Sequence, residues 1–266
     1  GLQHYNNFII SNGGKMLSYL QKKNFSHYNL PVHSKNFFKF PFLAKKINKL
    51  IKENYIDILH IRSRGPAWLL PFLDKKNLKS ISTFHNVYGH SNYVKKLYNQ
   101  QLSNVDVVVA ISNYVKNEII NIYNIDPNKI KVINRGVDTN FFSPDFENQL
   151  KFKNFLNDNN IDMEKKIILY PGRLTEWKGQ IQFLKIIEYF KNQPIKFYFV
   201  GDNKNSSYYK RLTKQIYHNR VNDNCVILGH LNHDELKMMY RCSDIIISAP
   251  QRPEGFGRTI SEALAM

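Results

Sequence analysis

Short apolar runs alternate with longer amphipathic stretches along this chain. Runs at 7–11, 27–32, 56–61, 79–83, 105–110 and 130–133 are four to six residues long and rich in Ile, Val and Phe, as buried strands are. Between them, the pattern predicts a helix opening at Gly13-Gly14 and running through Lys23, one over 40–53, one around 91–102, and one ending near Asn124 with Ser112 as its N-cap. In the 40–53 stretch Phe40, Leu43, Ile47, Leu50 and Ile51 share one face, and Lys45, Lys46, Lys49 and Lys52 the other.

The rhythm breaks at 139–144 and passes into a polar, Asn-rich stretch, 145–160, whose apolar anchors are Phe146, Phe152, Phe155 and Leu156. It restarts with buried strands at 166–170, 196–200, 225–228 and 244–248 and helices at 180–191, 208–218, 234–242 and 259–265. Strand–helix alternation of this kind predicts an α/β fold with parallel, doubly wound sheets. The break divides the chain into two domains, 1–144 and 145–266.

At 266 residues with 42% hydrophobic content, the chain can build two modest cores. Its two cysteines, Cys225 and Cys242, have no metal-type spacing and read as reduced thiols. No apolar run approaches the roughly 18 residues of a membrane span, and no signal peptide is visible. The formal net charge of +17 suits nucleic acid, an anionic membrane or phosphorylated substrates, but the lysines are scattered along nearly the whole chain and discriminate weakly. The lysine-faced 40–53 stretch raises a peripheral contact with an anionic membrane. Packing of its apolar face on a sheet, with the lysines in water, is the weightier reading.

The chemistry concentrates in loops that leave strands. After the 244–248 run, Glu254, Gly255, Phe256, Gly257, Arg258 and Thr259 lead into a helix that carries Glu262 eight positions beyond Glu254. Main-chain N–H groups at such a helix start suit a phosphate, and a carboxylate just beyond can accept from a ribose diol. Taken alone, the segment reads equally well as an ordinary connection with two solvated acids. The loop after 166–170, Pro171-Gly172-Arg173-Leu174-Thr175-Glu176-Trp177-Lys178-Gly179, places two cations at a strand end. In the first half, Ser82-Thr83-Phe84-His85 ends a strand, and Arg62-Ser63-Arg64-Gly65-Pro66-Ala67-Trp68 follows another.

These segments together resemble glycosyltransferase family 4. The Glu254–Thr259 segment with Ser261-Glu262-Ala263 resembles its paired-glutamate signature, and Gly172-Arg173-Leu174 with Lys178-Gly179 its second signature. Arg62–Trp68 resembles a stretch of its bacterial envelope-polysaccharide members, and Gly136-Val137-Asp138 a family turn. The resemblance implies the GT-B architecture, two Rossmann-like domains facing across a cleft, and a retaining transfer from a nucleotide diphosphate-sugar to a glycan or lipid-linked acceptor, without metal or cofactor. It implies that Arg173 and Lys178 bind the donor diphosphate, that Glu254 holds sugar hydroxyls and Glu262 the ribose, and that His85 lies beside the donor sugar. Gly172, Gly255, Phe256, Gly257, Arg258 and Thr259 would line the donor site; Arg62, Ser63 and Arg64 would meet an anionic acceptor. Both domains look incomplete by that comparison, lacking a first strand with its glycine loop and the C-terminal end. The site is expected in the cytoplasm or at the inner membrane face. A sugar-nucleotide epimerase or phosphorylase on the same scaffold is the nearest rival, and a basic binding protein for nucleic acid or anionic lipid is a rival of another class. No RRM, KH or helix-turn-helix pattern supports nucleic acid.

Overall fold

The apolar runs pair in parallel, as their pattern requires. The computed structural model describes residues 6–14, 17–22, 25–145, 148–202 and 207–266, with Tyr19 by its main chain alone. The expected helix end at Lys23 and the anchor Phe146 lie outside the described residues. The chain divides into two units, Gly1–Asn134 and Arg135–Met266.

In the first unit β1 (Phe8–Ser11) pairs with β2 (Ser26–Asn29). A four-stranded parallel sheet follows in the order β3 (Ile58–Ile61), β4 (Lys79–Phe84), β5 (Val107–Ala110), β6 (Ile130–Val132). Helix α1 (Leu17–Lys22) joins β1 to β2, α2 (Phe40–Glu53) lies between β2 and β3, and α3 (Arg64–Ala67), α4 (Tyr93–Gln100) and α5 (Asn113–Tyr123) lie in the connections of the four-stranded sheet. Local chemistry sets the ends. The Ser112 hydroxyl accepts from Val115 N–H at 3.1 Å, and Asn124 closes α5 in the left-handed conformation at φ 53°. In α2 the face Phe40, Leu43, Ala44 and Ile47 is buried with Leu69 and Leu73, so the sequence's weightier reading of that helix holds. Its apolar face is spent on the core.

The second unit contains α6 (Gln149–Asp158), β7 (Lys166–Pro171), α7 (Gln180–Tyr189), β8 (Ile195–Val200), α8 (Ser207–His218), β9 (Cys225–Gly229), α9 (His233–Cys242), β10 (Ile245–Ile246) and α10 (Arg258–Leu264). Its parallel sheet runs β10-β7-β8-β9. Strand periodicity sends Ile168 and Tyr170 into a core with Leu184 of α7 and Leu212 of α8. Ile167 and Leu169 enter a second core with Phe155 of α6 and Met239 of α9. Both faces of β7 are therefore covered, which is why it reads as an unbroken apolar run.

Three expectations shift. The Asn-rich stretch, to which the pattern assigned no element, carries helix α6. Asn148 caps α6 by accepting from Lys151 N–H at 2.8 Å, and Phe155 is its buried anchor. Its low propensity is overcome by packing. The strand expected to be buried at 244–248 pairs only over Ile245–Ile246, and Ile245 is 53% exposed because β10 has one strand neighbour among the described residues. Phe142 and its neighbours Val137 and Phe141 pack in the second unit's core, so the division falls earlier than the break expected after residue 144.

Asp106 ties β4 to β5. The Ser80 hydroxyl and N–H donate to Asp106 Oδ2 at 2.6 and 2.7 Å, and these bonds hold its carboxyl below the ordinary value of 3.8. A carboxyl with a depressed folded-state pKa contributes stability above its unfolded value and loses it as pH falls through the folded one. Asp106→Ala should cost about 1–2 kcal/mol at neutral pH, since it removes the acceptor of the Ser80 O–H and N–H while the hydroxyl keeps only the bond it accepts from the residue 106 N–H. Denaturant titrations should show that difference shrinking as the pH falls below the ordinary carboxylate range.

Candidate functional site

In the second sheet, β8 and β9 extend to one side of β7 and β10 lies on the other. The strand order reverses between β7 and β10, and in open parallel sheets ligands gather outside the carboxyl ends of strands at such a reversal. The two loops singled out in the sequence leave those two strands. The structure brings them together.

Tyr170, near the end of β7, is the fastening. Its buried hydroxyl donates to the Lys178 carbonyl at 2.5 Å and accepts from Ala249 N–H at 3.2 Å. Burial above all pushes this phenol up to about 12, so it stays a neutral donor. Gln251 N–H donates to the Trp177 carbonyl at 2.9 Å. At Gly179 the chain turns with φ +78°, and a Cβ there would stand 2.6 Å from Gln251 Nε2 and 2.7 Å from the Ala249 carbonyl. Only glycine allows the loops that close. On the other side, a Cβ on Gly201 would lie 2.0 Å from the Gly172 carbonyl, so the end of β8 also presses on the 172–179 loop. Gln180, fully buried, completes the frame: its Nε2 donates to the Arg173 carbonyl at 3.1 Å and its Oε1 accepts from Tyr208 at 3.1 Å.

Within this frame Lys178 is buried at 8% exposure, and its ammonium donates to Glu254 Oε1 in an ion pair. One residue from each sequence signature thus forms a single charged pair. The Lys178 ammonium also sits 4.9 Å from the Trp177 ring centroid, and its stem runs past Gly172, where a Cβ would meet Cδ and Cε at 3.4 Å. Arg173 is exposed in the same loop.

Glu262 lies one turn into α10 at 3% exposure. Its Oε1 accepts from Arg258 Nε at 2.7 Å and its Oε2 from the Tyr240 hydroxyl at 3.1 Å. Burial, reinforced by the carboxylate, pushes the Tyr240 phenol up, so it remains a donor. Gly255 is buried, Phe256 and Thr259 are half-buried, and the Gly257 carbonyl accepts from Ile260 N–H at 3.0 Å as α10 begins. Sequence reasoning missed Tyr170, Gln180 and Tyr240. The available signal was polar atoms inside apolar runs, which must find partners when buried.

In the first unit His85 follows buried Phe84 at the end of β4, and its N–H donates to the Tyr88 hydroxyl at 3.4 Å. The Arg64 guanidinium lies 4.4 Å from the Tyr88 ring centroid and donates to buried Asn99 Oδ1 at 3.0 Å. Tyr88 therefore touches both His85 and Arg64. Arg64 makes these contacts within its own unit, and Arg62, Ser63 and Arg64 are all exposed.

Two family models match the chain: Glycosyltransferase Family 4 over residues 8–141 and Glycosyl transferases group 1 over residues 151–266. Among solved structures, a glycosyltransferase from Rickettsia africae is 36% identical, with TM-score 0.86 over 97% of this chain and 68% of that one. HepE of Anabaena in complex with UDP is 17% identical with TM-score 0.81, over 99% of this chain and 72% of its own, and shares the fold. An uncharacterised glycosyltransferase of Methanocaldococcus jannaschii is 28% identical over 84% of the chain and 58% of its own length. The phosphatidylinositol N-acetylglucosaminyltransferase GPI3 subunit of Saccharomyces cerevisiae is 26% identical over 85% of the chain and 49% of its own. The chain spans about half to three-fifths of the curated relatives it matches.

Tyr170→Phe keeps the ring packing and leaves the Lys178 carbonyl and Ala249 N–H without their hydroxyl. It should destabilise the second unit by about 1–3 kcal/mol, read as a lower denaturation midpoint with an unchanged far-UV circular dichroism spectrum.

Proposed function

The chain belongs to glycosyltransferase family 4, and from that premise we propose that it transfers a sugar from a nucleoside diphosphate-sugar to a glycan or lipid-linked acceptor, with retention at the anomeric carbon. The observation that carries this reading is the Lys178–Glu254 pair at the strand-order reversal. It sets a cation for a diphosphate beside a carboxylate for sugar hydroxyls. The UDP bound to HepE, which shares the fold, supports a nucleotide donor of this class.

In this reaction the bond from the anomeric carbon to the diphosphate breaks and the diphosphate leaves with the electron pair. The acceptor oxygen bonds to the same face of the sugar, and its proton passes to the departing diphosphate. Negative charge grows on the leaving group, so Lys178 and Arg173 act most strongly in the transition state and stand in place of a metal. Glu254 holds sugar hydroxyls, Glu262 accepts from the ribose, and His85 orients the donor sugar. Arg62 and Ser63 face an anionic acceptor. We place the reaction in envelope polysaccharide or lipopolysaccharide synthesis, in the cytoplasm at the inner membrane face.

A panel of nucleotide-sugars, scored by release of nucleoside diphosphate and by the anomeric configuration of the product, tests this reading. Acceptor-independent change of the sugar would assign an epimerase instead. Lys178→Ala and Arg173→Ala should each lower kcat by about 10²–10³ with smaller changes in KM. Their double variant should lose less than the product of the two, because both serve one diphosphate.

Glu262→Gln should weaken nucleoside diphosphate affinity by about 1–3 kcal/mol, measured by calorimetry. Tyr240→Phe, which removes only the donor behind Oε2, should weaken it less.

A further inference from the structure

With the apolar face of α2 buried, the segment that leads into it carries aromatic rings facing outward. Phe38 is 97% exposed, Phe42 60% and Phe37 57%. They do not sit on a frayed end. Asn36 Oδ1 accepts from Phe38 N–H at 3.1 Å, Ser34 Oγ accepts from Asn36 N–H at 3.2 Å, and Phe37–Lys39 form a 3₁₀ turn running straight into α2. The inner edge of Phe37 is braced by Trp68, with ring centroids 5.3 Å apart at 84°. The turn therefore holds Phe38 out in water at a hydrophobic cost that nothing among the described residues of its unit offsets.

Charge decides what covers it. From Lys35 to Lys52 the sequence has six lysines and no acidic residue. Lys39, Lys45 and Lys46 are exposed around the rings, and the Lys46 ammonium stands 4.5 Å from the Phe42 centroid. Protein interfaces are poor in lysine at their centres. A lipid interface suits the combination: rings enter the headgroup–acyl boundary while lysine stems lie along it and their ammonium groups meet anionic headgroups.

We infer that the Phe37–Phe42 turn is a membrane-docking wedge for anionic bilayers, with Phe38 and Phe42 inserting and Lys39, Lys45 and Lys46 selecting negative headgroups. This replaces the amphipathic-helix contact that the sequence suggested for residues 40–53, whose apolar face is in the core. It goes beyond the transfer reaction and is tested without turnover.

The test is flotation of the protein with phosphatidylcholine vesicles, with and without phosphatidylglycerol. Binding should require phosphatidylglycerol and weaken with added salt. Phe38→Ser with Phe42→Ser should lower the partition coefficient by about tenfold or more. Lys39→Gln, Lys45→Gln and Lys46→Gln should each lower it about fivefold. All five positions are exposed, so melting temperatures should match the parent and separate lost binding from lost folding. Absence of binding to the anionic vesicles, equal binding to both vesicle types, or undiminished binding by the double Phe variant would each overturn the proposal. So would concentration-dependent dimerisation that Phe38→Ser abolishes, which would assign the rings to a second copy of the chain.

Discussion

The candidate donor site depends on a hydroxyl deep in the second unit. Tyr170 lies near the end of a strand covered on both faces, and its ring packs in one of the two cores, so its position is fixed by that core and not by the loops it serves. From there one O–H spans the reversal in strand order, donating to the loop after β7 and accepting from the loop after β10. The parallel register of β7 and β10 brings those loops near each other, but only over Ile245–Ile246. Such a short pairing is a weak clamp. The tyrosine, the Gln251–Trp177 bond and the absence of a Cβ at Gly179 supply what two paired residues cannot.

The Lys178–Glu254 pair is a product of that frame and not its cause. Two largely buried charges lose hydration on coming together, and their attraction in a low-dielectric setting returns roughly that loss. Pairs of this kind are poor anchors. Their consequence is chemical: an ammonium and a carboxylate stand side by side, each with most of its surface covered. In the proposed reaction a diphosphate would meet an ammonium already largely desolvated, and the carboxylate it displaced would be free to accept from sugar hydroxyls.

Much of this was legible in the sequence, for identifiable reasons. The strands of the second unit were readable because both faces of β7 and β8 are buried, and α5 because Ser112 and Asn124 mark its ends chemically. Helix α6 was not, because Asn-rich composition hides a helix that one buried phenylalanine secures by tertiary packing. At the site, the charged residues were legible as residue types at strand ends, but not their pairing. The spacing of Lys178 and Glu254 by 76 positions says nothing until the strand order is known. The exposed phenylalanines were invisible for a different reason: apolar residues beside an amphipathic helix read as more core, and only the burial of Phe40 beside the exposure of Phe38 separates them.

Glu262 shows how far geometry narrows a role. The carboxylate is buried with both oxygens taken, yet the two bonds are unequal in kind. Tyr240 is itself buried, and its raised pKa keeps it a proton donor, so Oε2 is held in place. Arg258 comes from an exposed side chain, 52% accessible, which solvent can take back cheaply. An ionised carboxylate has about four acceptor positions, so an incoming diol need not evict either partner. Where displacement does occur, it falls on Arg258. Any hydroxyl pair that Glu262 receives must therefore approach from the Oε1 side, past the guanidinium, and Tyr240 serves as the fixed brace behind it.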